Sequence, residues 1–389
     1  MKKIALTFTF LLLILNIGLI WGAKAQNNTQ ALEFLKLGEI STGGDAYAMW
    51  IPSKGDLAYL TCGYSGLKIF NISTYSNPIE ISHLPERPAS IPSGHSTGYA
   101  HQFFMDGNII YVGDGAAGLT IINISDPYNP QFITQYLGGY AWDVQIVDNV
   151  AFVALGWIDA SLKSGLDLVN VTDPSNPVLI VDLNTQGLIT DIDVEGDLLF
   201  LSDSQDGVLI YDISNPINPA LVGQYDGLAT GEPDYSFDVV GDFLYVVSWT
   251  EGRLHILDIS DPGDILMVGG FTSSDSYISV RVFDELAYLG GEQGLTVLNI
   301  SNPSNPVEIG QYSEIGRVTD VHKRDNIIFL ATEASGLVIV EQELHERPTS
   351  TEDTAASSAG FDVLIVLVGV SCLLILKKMH ASQTFKKIV

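Results

Sequence analysis

Apolar residues along this chain come in short runs. Between residues 31 and 342, runs of about four to six residues rich in Val, Ile, Leu, Tyr and Phe alternate with polar breaks of Gly, Asn, Asp or Pro. Runs this short, bounded by turn formers, predict β-strands rather than helices. The runs group in fours. In one unit strand a is Asp191-Ile192-Asp193-Val194, and strand b is Leu198-Leu199-Phe200-Leu201 after a Gly196-Asp197 turn. Strand c is Gly207-Val208-Leu209-Ile210-Tyr211-Asp212, and strand d is Pro219-Ala220-Leu221-Val222-Gly223. Proline fixes φ and an Asn or Asp side chain caps the bend, so the Asn218-Pro219 pair marks the c–d turn.

Strand c sets the period. Its leading glycine recurs at Gly66, Gly118, Gly165, Gly207, Gly252, Gly294 and Gly336, at spacings of 52, 47, 42, 45, 42 and 42 residues. Seven four-stranded units predict an all-β, seven-bladed β-propeller. The seventh unit stops after strand c, at Glu341, and lacks a strand d. The missing piece sits at the other end, where Leu35-Lys36-Leu37-Gly38-Glu39-Ile40 matches Val307-Glu308-Ile309-Gly310-Gln311-Tyr312. The N-terminal strand is therefore predicted to close the last blade from outside, covering an edge that an open array would expose.

The two ends carry different signals. Lys2-Lys3, the apolar run Ile4–Trp21 and Ala23-Lys24-Ala25 have the layout of a secretory signal peptide over residues 1–25, with an uncleaved anchor as the alternative. Residues 343–355 read as a flexible linker, and residues 356–376 as a single transmembrane helix. Residues 377–389, with Lys377, Lys378, Lys386 and Lys387, read as a cytoplasmic basic tail. The propeller would occupy residues 26–342, outside the cell and held to the membrane by its C-terminus.

The string Leu337-Val338-Ile339-Val340 and its relatives in the other units resemble the LVIVD-repeat family of exported bacterial and archaeal proteins. That resemblance implies a β-propeller at the cell surface and no particular activity. Ala359-Gly360-Phe361, an apolar run, then Lys377-Lys378 is similar to archaeal surface-protein sorting tails of the Pro-Gly-Phe type, with Ala359 at the proline position. The similarity implies that the span can be exchanged for a lipid.

Charge sharpens this picture. The formal net charge is −28, yet residues 26–376 hold all 46 acids against 11 bases, a net −35. Such a surface repels phosphate backbones, which excludes nucleic acid as a partner. Cys62 lies in the propeller and Cys372 in the span, so no disulfide forms within the ectodomain.

The departures from the 42-residue period fall in the d–a connection Ser82–Ala100, the b–c connection Gly156–Ser164 and the d–a connection Asp226–Tyr235. In an up-and-down blade, d–a and b–c connections share one face, and one-sided loop growth is how scaffolds acquire binding surfaces. The candidate residues on that face are His83, His95, His101, Trp142, Trp157 and Trp249, since exposed tryptophans serve sugar stacking and protein anchoring. Strand a is innermost, so its early residues line the channel: Trp50, Gln102, Asp143, Asp191, Ser236, Ser279 and Asp320. Two residues on come Pro52, Phe104, Gln145, Asp193, Asp238, Arg281 and His322. Asp143, Asp191 and Asp320 are candidate calcium ligands, or else caps for backbone amides.

Five sequons occur, at Asn27, Asn71, Asn123, Asn170 and Asn299. Asp212 and Asp258 replace the repeat's Asn elsewhere, which favours a turn role over glycosylation. No catalytic motif is present. The expected function is a membrane-anchored extracellular module that binds a cell-surface protein or glycan on the loop face, with no obligatory cofactor. The alternatives are a hydrolase or lyase using His101, Asp191, Arg281 and His322 at the channel mouth, and a structural surface-layer component.

Overall fold

The computed structural model describes residues 30–85, 98–156, 163–185, 187–228, 235–248, 250–313 and 315–346. The segments expected to be a signal peptide, a transmembrane helix and a basic tail lie outside the described residues, as do His95, Trp157, Trp249 and Asn27. Among the described residues no helix is long and apolar enough to cross a membrane. Residues 32–344 form one compact unit, and residues 30–31 and 345–346 are the ends of the first and last strands.

That unit is a seven-bladed β-propeller of seven four-stranded antiparallel sheets. The innermost strands a of blades 1 to 7 are Ala48–Trp50, Phe103–Asp106, Ala141–Val147, Ile189–Glu195, Tyr235–Val240, Tyr277–Phe283 and Val318–Arg324. From blade 2 round to blade 7 and on to blade 1, consecutive a strands pack against each other. Blade 7 consists of Val318–Arg324, Ile327–Thr332 and Gly336–Glu346, with the N-terminal strand Gln30–Ile40 as its fourth and outermost member. Ring closure by the N-terminal strand therefore holds. Both strands run beyond the apolar core of the repeat, the first starting at Gln30 and the last continuing to Glu346, because each has the other as a backbone partner.

The buried side chains form seven clusters, each shared by two adjacent blades. This explains the apolar runs. Strand b is covered on both faces, so Val150–Leu155 is buried at all six positions rather than alternating. One aromatic per blade pins the stack at the same place in strand b: Tyr59, Tyr111, Phe152, Phe200, Tyr245, Tyr288 and Phe329, none more than 5% exposed. Fully burying a ring of this size contributes roughly 1.5–3 kcal/mol.

The leading glycine of strand c has a specific cause. At Gly207, φ is +80° and an added Cβ would lie 2.2 Å from the Tyr225 carbonyl oxygen of strand d. No side chain fits, so the repeat keeps glycine. The a–b turns of blades 2 to 7 are tight two-residue bends, whereas blade 1 connects Trp50 to Leu57 through six residues; in blade 3, Asp148 and Asn149 both take positive φ (49° and 64°), the type I′ signature. A bulge between strands c and d recurs, for example between Leu168 and Val169, and bends the outer strand away.

Candidate functional site

The c–d turns are closed by one recurring contact. Asn71 Oδ1 accepts the Ser73 amide at 2.9 Å, and Asn123, Asn170 and Asn299 accept those of Ser125, Thr172 and Ser301 at 2.8–3.0 Å. Asp212 and Asp258 do the same for Ser214 and Ser260. The residue after each Asx donates to an a–b turn carbonyl, as in Ile72 N to Asp56 O at 2.7 Å. The a–b and c–d turns thus share one face, called the turn face here. The d–a and b–c connections form the opposite loop face.

An aromatic cluster occupies the loop face of blades 1 to 3. Tyr47 and Tyr99 meet at 2.6 Å through their hydroxyls, with ring centroids 5.2 Å apart. Tyr64 packs edge-on against Tyr99 at 4.5 Å and is 65% exposed. His101 sits beneath, 4.9 Å from Tyr99 and 4.3 Å from Trp142, and its Nε2 lies 3.0 Å from the Tyr140 hydroxyl. Trp142 donates its indole N–H to Gly156 O at 2.6 Å. Gly115, with φ +50°, lets the chain turn beneath these rings; an added Cβ would meet Tyr140 at 3.0 Å.

Electrostatically the cluster is neutral. Burial drops the His101 imidazole to about 3, so it is uncharged at physiological pH. Burial also pushes the Tyr47, Tyr99 and Tyr140 hydroxyls up. Four tyrosines of this aromatic cluster, which forms a seat on the loop face, were not among the expected site residues: Tyr47, Tyr99, Tyr140 and Tyr64. A signal for the first three existed: the pairs Tyr47-Ala48, Tyr99-Ala100 and Tyr140-Ala141 each stand three residues before Trp50, Gln102 and Asp143, the aligned strand-a positions.

The channel wall is built differently. Asp143 accepts the Ile192 amide of blade 4 at 2.9 Å, and Asp191 accepts the Phe237 amide of blade 5 at 2.9 Å. Asp193 takes Val239 N at 3.2 Å, Asp238 takes Val282 N at 2.6 Å, and Asp320 takes Met49 N of blade 1 at 2.9 Å. Each carboxylate staples its blade to the next. Burial pushes Asp238 up to about 7 and Asp191 up to about 6, although Arg281 pulls both down. Asp143 rises as well, through burial and then the nearby Asp191 charge.

Arg281 is the counter-ion of this wall, 3.4 Å from Asp320. Burial works against its charge, but Asp320, Asp238, Asp191 and Asp193 together hold it protonated.

The expected site residues therefore separate. His101 and Trp142 join the loop-face cluster. His83 is not in a loop: it lies in strand d of blade 1, Ile79–Leu84, paired with Lys68, and its Nε2 is 2.6 Å from Ser65 O. The strand continues through His83 because strand c offers it partners as far as Leu67, so the d–a connection starts after Leu84 rather than at Ser82. His322 adjoins the channel wall, where the charges of Asp320 and Arg281 reach it, and packs with Trp50 at 5.6 Å and Phe283 at 6.2 Å. His101 has no contact with it or with Arg281, so the four residues of the enzymatic alternative do not share one neighbourhood among the described contacts. Asp143, Asp191 and Asp320 each spend one carboxylate oxygen on a backbone amide of the next blade. Among the described residues no three His, Cys, Asp or Glu side chains are arranged to hold a metal.

Five segments, residues 97–137, 138–185, 186–227, 236–273 and 278–314, match the LVIVD repeat family, more than half of the chain. No curated protein matches the chain in sequence. Among solved structures, the Myceliophteria thermophila Cps50 (Swd1) beta-propeller domain is similar at 12% identity and a TM-score of 0.60, covering 79% of this chain and 99% of that one. The computationally designed Ika8 protein is similar at 14% identity and a TM-score of 0.53, covering 76% and 83%. At such identities both likenesses concern the fold alone.

Proposed function

Because this chain belongs to the LVIVD repeat family, whose repeats here build a closed propeller, we propose that it is a binding module. In this reading it is held at the cell surface by its C-terminal segment and docks a protein or glycan on its loop face. The observation that carries the reading is the neutral aromatic cluster around Tyr64, Tyr99 and Trp142. Rings with an exposed face and a polar tip are the side chains that dominate recognition surfaces. Two further features support it. The d–a connection after Leu84 and the b–c connection after Gly156 adjoin the cluster in sequence. The acidic ectodomain favours neutral or cationic partners over anionic ones.

The reading assigns no catalysis. His101 is a neutral packing group, and the channel carboxylates are engaged as staples. The test is capture from native surface extracts with the soluble ectodomain, residues 26–345. A protein or glycan retained by the native ectodomain and lost on Tyr64→Ala/Trp142→Ala is the expected result. Equal retention by both would refute the assignment.

A further inference from the structure

We infer that Asn71, Asn123, Asn170 and Asn299 are N-glycosylation sites, which clothe the turn face with saccharide and leave the loop face bare. The inference rests on the export reading above. Each residue heads an Asn-x-Ser/Thr triplet, and each ends strand c at the same register in blades 1, 2, 3 and 6. All four therefore stand on one face. The hydroxyl residue of each triplet is exposed, and the asparagines are half-buried or exposed.

Turn and modification do not compete for the same atom. The Asx contact uses Oδ1, with the Ser301 hydroxyl adding a second bond to Asn299 Oδ1 at 2.6 Å. The Nδ2 atom is left out of it. An N-glycosyl amide keeps its carbonyl oxygen, so the turn survives attachment of a sugar. Asp212 and Asp258 make the same Oδ1 contact without an amide nitrogen, and are built-in negatives on the same face. Exchange of Asn for Asp is thus silent for the fold and decisive for the modification.

The co-reactant is a saccharide carried on a polyprenyl phosphate, delivered by a membrane glycosyltransferase. Nδ2 bonds to the sugar C1 as the C1–O bond to the lipid phosphate breaks. The lipid phosphate leaves with that electron pair, and Nδ2 gives up one proton. The neutral amide stays neutral, so the negative charge of the turn face is shielded by bulk rather than cancelled.

Glycopeptide mass spectrometry on the full-length protein, purified from its own cells and fractionated in parallel, tests this. Saccharide mass is expected on peptides carrying the four asparagines and on none carrying Asp212 or Asp258. Asn123→Gln is expected to remove one increment, and Asp212→Asn, which completes an Asn-Ile-Ser triplet, to add one. Unmodified asparagines in protein recovered at the membrane would overturn this inference and leave the binding reading standing. Unmodified asparagines in protein retained in the cytoplasm would overturn both.

Discussion

Two arcs of the ring hold their blades together by different chemistry. From blade 3 to blade 6, and again from blade 7 to blade 1, carboxylates on strand a grip backbone amides of the next blade. From blade 1 to blade 3, aromatic rings fill the corresponding seams. A carboxylate staple fixes the spacing between two strands and leaves nothing to present. Stacked rings hold the seam with their inner faces and offer their outer edges to solvent, as Tyr64 does. Seams of the same ring are thus closed by buried carboxylates in one arc, while in the other they leave an aromatic edge exposed.

The comparison can be broken most forcefully at Asp320. It accepts amides from Met49 and Val321 and pairs with Arg281. Asp320→Ala leaves both amides without their acceptor and takes from Arg281 the carboxylate it pairs with, and should cost roughly 3–5 kcal/mol, as loss of one partner from a buried charge pair does. Denaturant unfolding reads this directly. Asp320→Asn, which keeps one acceptor oxygen, should cost clearly less.

The arcs should also answer pH with opposite signs. Asp238 and Asp191 titrate near 7 and 6 in the fold, above the ordinary carboxylate value. The folded state then binds protons that the unfolded chain releases between about pH 4 and 7, so the stapled arc loses stability as pH rises through that window. The slope is at most about 1.4 kcal/mol per pH unit for each group. Asp238→Asn, whose amide oxygen still accepts the Val282 amide, should flatten this part of the stability–pH curve.

His101 acts in reverse. Its folded value near 3 lies below the ordinary 6.5, so the unfolded chain takes up the proton first and acidification below about pH 6.5 destabilises the aromatic arc. His101→Phe should remove that loss and change neutral-pH stability by less than about 1.5 kcal/mol, as shape-conserving swaps do. Thermal unfolding across pH 4 to 8 on the two variants separates the arcs. Equal pH profiles for both would dissolve the distinction.

Most of the fold was legible in the residues themselves. Gly118 and Gly207 recur because strand d passes too close for a Cβ, and Phe152 and Phe200 recur because strand b is covered on both faces. Such local requirements leave a periodic trace. The seat was only half legible. His101 and Trp142 stood out by type, but the tyrosines join them only when neighbouring blades pack, Tyr47 with Tyr99 across 52 residues and Tyr140 with His101 across 39. His83 was misplaced because period arithmetic locates an insertion only to within a few residues, whereas backbone pairing sets where strand d ends. The three channel aspartates were legible by type and depth, but the amides they accept in the next blade were not, because those partners depend on how the blades pack.

Tyr64→Ala should be the mildest change to the fold, within about 0.5 kcal/mol as for exposed positions, and the most damaging to binding. Tyr128, equally exposed at 65% but on the turn face, is its control. With a partner captured from surface extracts, titration against the propeller and its two variants decides between the faces. Tyr64→Ala is expected to weaken binding about tenfold or more, the scale of an aromatic anchor, while Tyr128→Ala leaves it unchanged. Unchanged affinity for Tyr64→Ala, or equal loss for both, would contradict this expectation.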